Sequence, residues 1–101
     1  MLRAFKVSGS SMEPTLKTDD IVIVLKKKNI SVNDIVVVED SEYGFLIKRL
    51  EKFEKNGIKL SSDNKNSFSP STKNIYDISN IVGKYVFKIN AKNLLCKLFE
   101  T

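Results

Sequence analysis

Apolar residues in this chain fall into short β-branched runs separated by clusters of Asp, Asn, Gly and Ser, a pattern that predicts strands and little helix. Residues 5–7 lead into a Gly/Ser turn, Ile21–Leu25 and 35–38 are two Val/Ile runs, and 44–50 is a fourth segment. Asn56-Gly57 tolerates positive φ and predicts a hairpin joining 50–54 to 58–60. Ile81–Ile89 closes the series. Unbroken runs such as Ile21-Val22-Ile23-Val24 predict strands covered on both faces. The segments Asp19-Asp20-Ile21-Val22 and Asn33-Asp34-Ile35-Val36-Val37 look alike and predict two similar strand beginnings, without enough copies for a repeat architecture. Residues 61–77, rich in Ser, Asn and Asp and holding Pro70, form the main predicted loop, long enough to carry function. Pro14 suits the first turn of a helix, so residues 12–16 predict a short helical turn.

With 101 residues, 42% hydrophobic and 29% charged, the composition predicts one globular domain over residues 1–101, with 90–101 a C-terminal tail or short helix. The net charge of +5 could point to nucleic acid or an anionic membrane, but the lysines are dispersed and no run interleaves basic residues with aromatics. Lys26-Lys27-Lys28 beside Asn29 reads as a solvated loop, and no nucleic-acid partner is expected.

The chain has one cysteine and no histidine. Histidine-based triads, Cys/His dyads and the common zinc sites are thereby excluded, and neither metal nor cofactor is expected. Cys96, within Leu94-Leu95-Cys96-Lys97-Leu98-Phe99, reads as an apolar packing residue and cannot form a disulfide inside the chain. No apolar run approaches the roughly 20 residues that span a bilayer, and the N-terminus lacks a secretory signal. A soluble, cytoplasmic protein is the expectation.

Candidate chemistry concentrates in Ser8-Gly9-Ser10-Ser11-Met12-Glu13-Pro14-Thr15-Leu16. Gly9 permits an unusual backbone angle, Pro14 stiffens the exit, and the bend can leave consecutive N–H groups facing a carbonyl oxygen. Of its three serines, Ser11 is the chosen nucleophile. A serine hydroxyl needs a base at neutral pH, and without histidine the candidates are a carboxylate or a neutral lysine. A lysine ordinarily titrates near 10.4 and must be desolvated to serve. Lys48, in Phe45-Leu46-Ile47-Lys48-Arg49-Leu50, lies on an apolar strand that can carry its amine into a dry site. Taken singly, a turn serine and a strand lysine are ordinary structural residues.

Together, Gly9 to Leu16, then Asp34-Ile35-Val36-Val37, then Ile47-Lys48-Arg49-Leu50, resemble the Ser/Lys peptidases that include LexA, UmuD and type I signal peptidase. Leu60-Ser61-Ser62-Asp63-Asn64 is similar to the Asp-Asn segment of these families, and Ile81-Val82-Gly83-Lys84-Tyr85-Val86 to their closing strand. The resemblance implies a mostly β fold of coiled antiparallel sheets. It also implies that Ser11 attacks the scissile carbonyl, Lys48 takes its proton, and main-chain N–H groups around Ser10 and Ser11 hold the oxyanion. Met12 would support the site, Pro14 and Thr15 would shape the turn, and Asp63-Asn64 would buttress the catalytic strand. LexA-like members often carry a hydroxyl residue two places before the lysine, where this chain has Leu46. Signal-peptidase-like members place a serine after Asp-Asn instead, a contact that Ser67 or Ser69 could supply.

Ten residues precede Ser11, too few for a cleavable segment to fold back, so cleavage in trans is expected. The implied partner is a protein or peptide precursor that loses a leader or pro-segment. In size and motif order the chain resembles the maturation proteases of nickel-type superoxide dismutase. The alternative is a catalytically inactive LexA-like binding or assembly module. Related domains often dimerise, which leaves a homodimer open.

Overall fold

A computed structural model describes residues 1–26, 29–67, 72 and 74–90. Seven strands, β1 (Leu2–Lys6), β2 (Ile21–Leu25), β3 (Ile35–Asp40), β4 (Gly44–Glu54), β5 (Gly57–Ser61), β6 (Ile75–Tyr76) and β7 (Ile81–Ile89), form one sheet in the order β1-β2-β7-β3-β4-β5-β6. Every pairing is antiparallel. The protein is thus mostly β, as the short β-branched runs predict. One turn of 3-10 helix, Ile78–Asn80, precedes β7 and is capped by Asp77, whose carboxylate accepts from the Ser79 N–H at 2.8 Å.

The core divides into two clusters around β3. Ile35 and Val37 face one, with Val7, Met12, Leu16, Val22 and Val24. Val36 and Val38 face the other, with Leu50, Ile58, Leu60 and Tyr76. Covering both faces of a strand buries alternate residues in opposite directions, and in β3 that makes the four-residue run uniformly buried. In β2 only Val22 and Val24 are fully buried, whereas Ile21, Ile23 and Leu25 on the other face are half exposed. Double coverage therefore holds for β3 but not for β2, because the first cluster lies on one side of β2 only.

The two look-alike strand beginnings share one local structure. Asp19 and Asn33 both take positive φ, at 75° and 78°. Asp20 then accepts from the Lys17 N–H at 2.9 Å and Asp34 from the Ser31 N–H at 2.8 Å, each three residues back. A short carboxylate side chain that bonds its own turn stabilises the reversal before each Val/Ile run. Asp40 does the same at the end of β3, accepting from Glu42 and Tyr43 N–H groups at 2.7 and 2.9 Å and from the Tyr76 hydroxyl at 2.5 Å. Burial is the first cause, and the Asp40 contact the second, that pushes the Tyr76 phenol up to about 12.

Three expectations need correction or restriction. β6 lies inside the predicted 61–77 loop. Two residues carry no readable periodicity, and the strand forms because Tyr76 buries its ring in the second cluster and pairs with Ile58 of β5. Residues 12–16 form a succession of turns and not a helix, with Glu13 N–H donating to Ser10 O at 3.1 Å and Leu16 N–H to Met12 O at 2.9 Å. The Glu13-Pro14 peptide is cis. Residues 91–101, nearly all of the predicted tail, lie outside the described residues, as do Lys27 and Lys28. Among the described residues no helix is long and apolar enough to cross a membrane.

Candidate active site

The serine turn joins β1 to β2, and its ends are tied before its middle is placed. Val7 N–H donates to Asp20 O at 2.8 Å and Asp19 N–H to Val7 O at 2.9 Å, closing the neck of the loop. Gly9 takes φ +85° with open space where a Cβ would stand, so backbone conformation and not crowding calls for glycine there. The Thr18 hydroxyl holds the Gly9 carbonyl at 2.9 Å. Met12 and Leu16 sink into the first core cluster and pin the far side of the turn. Between these anchors Ser11 stands half-buried, while Ser10 and Pro14 are exposed. Among the described residues, no acceptor is bound by the N–H groups of Ser10 and Ser11.

Lys48 is 3% exposed although it carries an amine. It pairs across the ladder with the fully buried Val36, so its stem enters the apolar interior that β3 lines. Desolvation of the charged form lowers its pKa from the ordinary lysine value. Lys48 and Ser11 line the same cavity of about 110 Å³, together with Val7, Ser8, Phe45 and Ile47. The tertiary structure thus unites the two residues on which the sequence reading rests.

The Lys48 ammonium donates to the hydroxyl of Ser62 at 3.0 Å. Sequence names Ser67 and Ser69 as candidates for a contact with this amine and does not single out Ser62. The reason is a β-bulge. Around the Asn56-Gly57 turn, Glu54 pairs with Gly57, Phe53 with Ile58 and Lys52 with Lys59; continued unbroken, that register would bring Lys48 level with Asp63. Glu51 is the extra residue, Leu50 then pairs with Leu60 and Arg49 with Ser61, and Ser62 arrives beside Lys48. A neutral hydroxyl meets the amine in place of a carboxylate, which would have held it protonated. Ser67 is half-buried and donates its N–H to Asn64 O at 3.1 Å. Ser69 lies outside the described residues.

The displaced Asp63 takes a different partner. Its two oxygens accept from Arg49 Nε at 3.0 Å and Arg49 Nη2 at 2.6 Å, a bidentate pair, and Oδ2 also accepts from the Thr15 hydroxyl at 2.6 Å. The Arg49 hydrogen bonds are the main cause that holds the Asp63 carboxyl below its usual range, against the opposing effect of burial. Arg49 Nη1 continues to Asn33 O at 2.7 Å. Asn64 completes the clamp, with its N–H donating to Ser11 O at 2.9 Å and its amide nitrogen to Ser10 O at 3.0 Å. Lys88 reaches the turn from β7, donating to Thr15 O at 3.0 Å. The serine turn, the lysine strand and the Asp63-Asn64 segment are therefore bonded into one unit. A sequence reading could register Arg49 only through its place beside Lys48, because its contribution depends on the same bulge.

Chemically the cavity brings together an alcohol and a desolvated amine. Among the described residues, no three His, Cys, Asp or Glu side chains converge as a metal centre would require. In comparisons with known proteins, the model of the family described as Peptidase S24-like matches residues 1–86. No curated protein and no solved structure matches.

Proposed function

The chain belongs to the Peptidase S24-like family, and from that premise we propose that it is a serine endopeptidase with a Ser11/Lys48 dyad, cutting a leader or pro-segment from a protein precursor in trans. One observation carries the proposal: Ser11 shares a small cavity with a lysine that is almost fully buried. Burial is costly for an ammonium and inexpensive for a neutral amine, so it shifts Lys48 toward the form that can accept a proton. A neutral amine retains two N–H donors and one lone pair. The bond to Ser62 occupies one donor.

In the proposed reaction the Ser11 hydroxyl proton passes to Lys48 Nζ as Oγ bonds to the scissile carbonyl carbon. The N–H groups of Ser10 and Ser11 receive the oxyanion. The carbon–nitrogen bond then breaks, the leaving amine takes the proton from Lys48, and an acyl-Ser11 ester remains. Water, deprotonated by the again neutral lysine, hydrolyses the ester and restores the hydroxyl. Likeness in motif order to the nickel-type superoxide dismutase maturation proteases makes a small precursor with a removable leader the substrate class of choice.

Purified protein incubated with a candidate precursor should cleave it at one bond, with a rate proportional to enzyme concentration. Ser11→Ala should abolish cleavage while leaving the circular-dichroism spectrum and unfolding temperature unchanged. Cleavage undiminished by Ser11→Ala would reject the dyad, whereas a folded wild-type protein that cleaves nothing would favour the inactive-module reading.

Ser62 acts in this scheme as a positioning residue. Ser62→Ala should lower kcat by about 10- to 100-fold with little change in KM, a loss in the range expected when proton transfer is misaligned. The acid limb of the pH–rate profile should move, since the hydroxyl touches the titrating amine, and Ser62→Thr should restore most of the rate. A Ser62→Ala enzyme with wild-type kcat and pH profile would remove Ser62 from the mechanism.

A further inference from the structure

Beside the Ser11/Lys48 cavity lies a larger cleft of about 530 Å³, whose walls include Glu51, Lys59, Ser62, Asn64, Lys65 and Ser67. Two of these residues touch the dyad. Ser62 receives the Lys48 hydrogen bond, and Asn64 holds the carbonyls of Ser10 and Ser11. The cleft thus adjoins the site on the side where the amine is bonded. The smaller cavity, which Ser11 and Lys48 line together with Val7, Ser8, Phe45 and Ile47, shares none of the cleft's walls.

Proton transfer gives this arrangement a direction. The base that takes the serine proton must return it to the leaving nitrogen, so the nitrogen departs from the amine's side of Ser11. A chain leaving on that side crosses Ser62 and Asn64 and enters the cleft, while the acyl part remains beside Val7, Ser8 and Phe45. The volume lies in the range of clefts that take a drug-sized ligand. Its walls are polar, and they carry two cations, Lys59 and Lys65, against one anion, Glu51. Glu51 and Lys59 pair at 3.4 Å, which leaves the charge of Lys65 in excess on the rim.

We propose that this cleft binds the residues C-terminal to the cleaved bond and that Lys65 gives it a preference for acidic side chains there. The proposal rests on the Ser11/Lys48 peptidase reading, and its test separates the two. A peptide library prepared from a whole proteome is digested with the wild-type chain, with Lys65→Glu and with Ser11→Ala, and the residues on both sides of every cut are read by mass spectrometry. The wild type should enrich Asp and Glu over roughly the second to fourth positions after the cut. Lys65→Glu should reduce that enrichment about fivefold, the size expected for one exposed charge pair, and leave preferences before the cut unchanged. Absence of acidic enrichment after the cut, or an enrichment that Lys65→Glu does not alter, overturns the cleft assignment alone. A change confined to positions before the cut also overturns it, by reversing the direction. A wild-type digest identical to that of Ser11→Ala overturns the peptidase reading and the cleft with it.

Discussion

Lys48→Met should abolish peptide cleavage and at the same time raise the thermal stability of the protein at neutral pH. The two effects share a cause. Catalysis in the proposed scheme needs an amine where Val36 and the surrounding interior would accommodate a thioether more readily. Removal of a general base costs about 10²–10⁴-fold in rate. Met matches the length of the lysine stem and carries no charge to desolvate, so stability should rise by about 1 kcal/mol, or roughly 5 °C in Tm for a domain of this size. The pH dependence distinguishes this from a packing effect. The folded-state pKa of Lys48 lies below the unfolded value of 10.5. Below the folded value both states hold the proton, and the fold bears the whole cost of the buried charge. Between the folded value and 10.5 the unfolded chain holds more protons, so wild-type stability rises with pH. The Lys48→Met protein lacks that rise, and its advantage should shrink as pH approaches 10.5. Chemical denaturation at several pH values measures this; an advantage independent of pH would show that the amine is not desolvated.

The largest loss of stability expected from one substitution at the site is that of Asp63→Ala. The change removes the carboxylate that binds Arg49 twice and Thr15 once, and it leaves a partly buried guanidinium without that counter-ion. Breaking a pair of this kind costs about 3 kcal/mol when it is buried, and the partial exposure of Arg49 brings the expectation to about 2 kcal/mol, near 10 °C in Tm. Cleavage should fall further than stability alone requires, because Thr15 loses its tie from the serine turn to the lysine strand's Arg49–Asp63 pair. Here the sign of the pH effect is opposite to that of Lys48. Asp63 has a folded pKa below 3.8, so its contribution is complete above that value and is lost as pH falls through the folded pKa. Wild type should therefore lose stability on acidification below about pH 4 more steeply than Asp63→Ala. Parallel acid-unfolding curves would show that the Arg49 pair contributes nothing.

These expectations depend on features of unequal visibility in the amino-acid sequence. The strands at Ile21–Leu25 and Ile81–Ile89 were legible to the residue, because a run of β-branched residues between turn formers is a local signal. The paired beginnings at Asp20 and Asp34 were legible for the same reason, since an Asp that bonds a turn three residues back needs no distant partner. Tyr76 was not, because a two-residue strand exists only through the Ile58 pairing and the Asp40 contact.

Sequence by itself determined that histidine and paired-thiol chemistry are absent, that the chain is built of short strands, and that Ser11 and Lys48 occur in a motif order worth joining. Side-chain types and their local spacing suffice for those conclusions. Tertiary structure alone decided that Lys48 is buried and lines one cavity with Ser11, that Ser62 meets its amine, and that Asp63 serves Arg49 and Thr15. The physical reason is the single extra residue at Glu51: a one-residue shift of register exchanges which side chain faces the lysine, and no local property of residues 60–64 announces it.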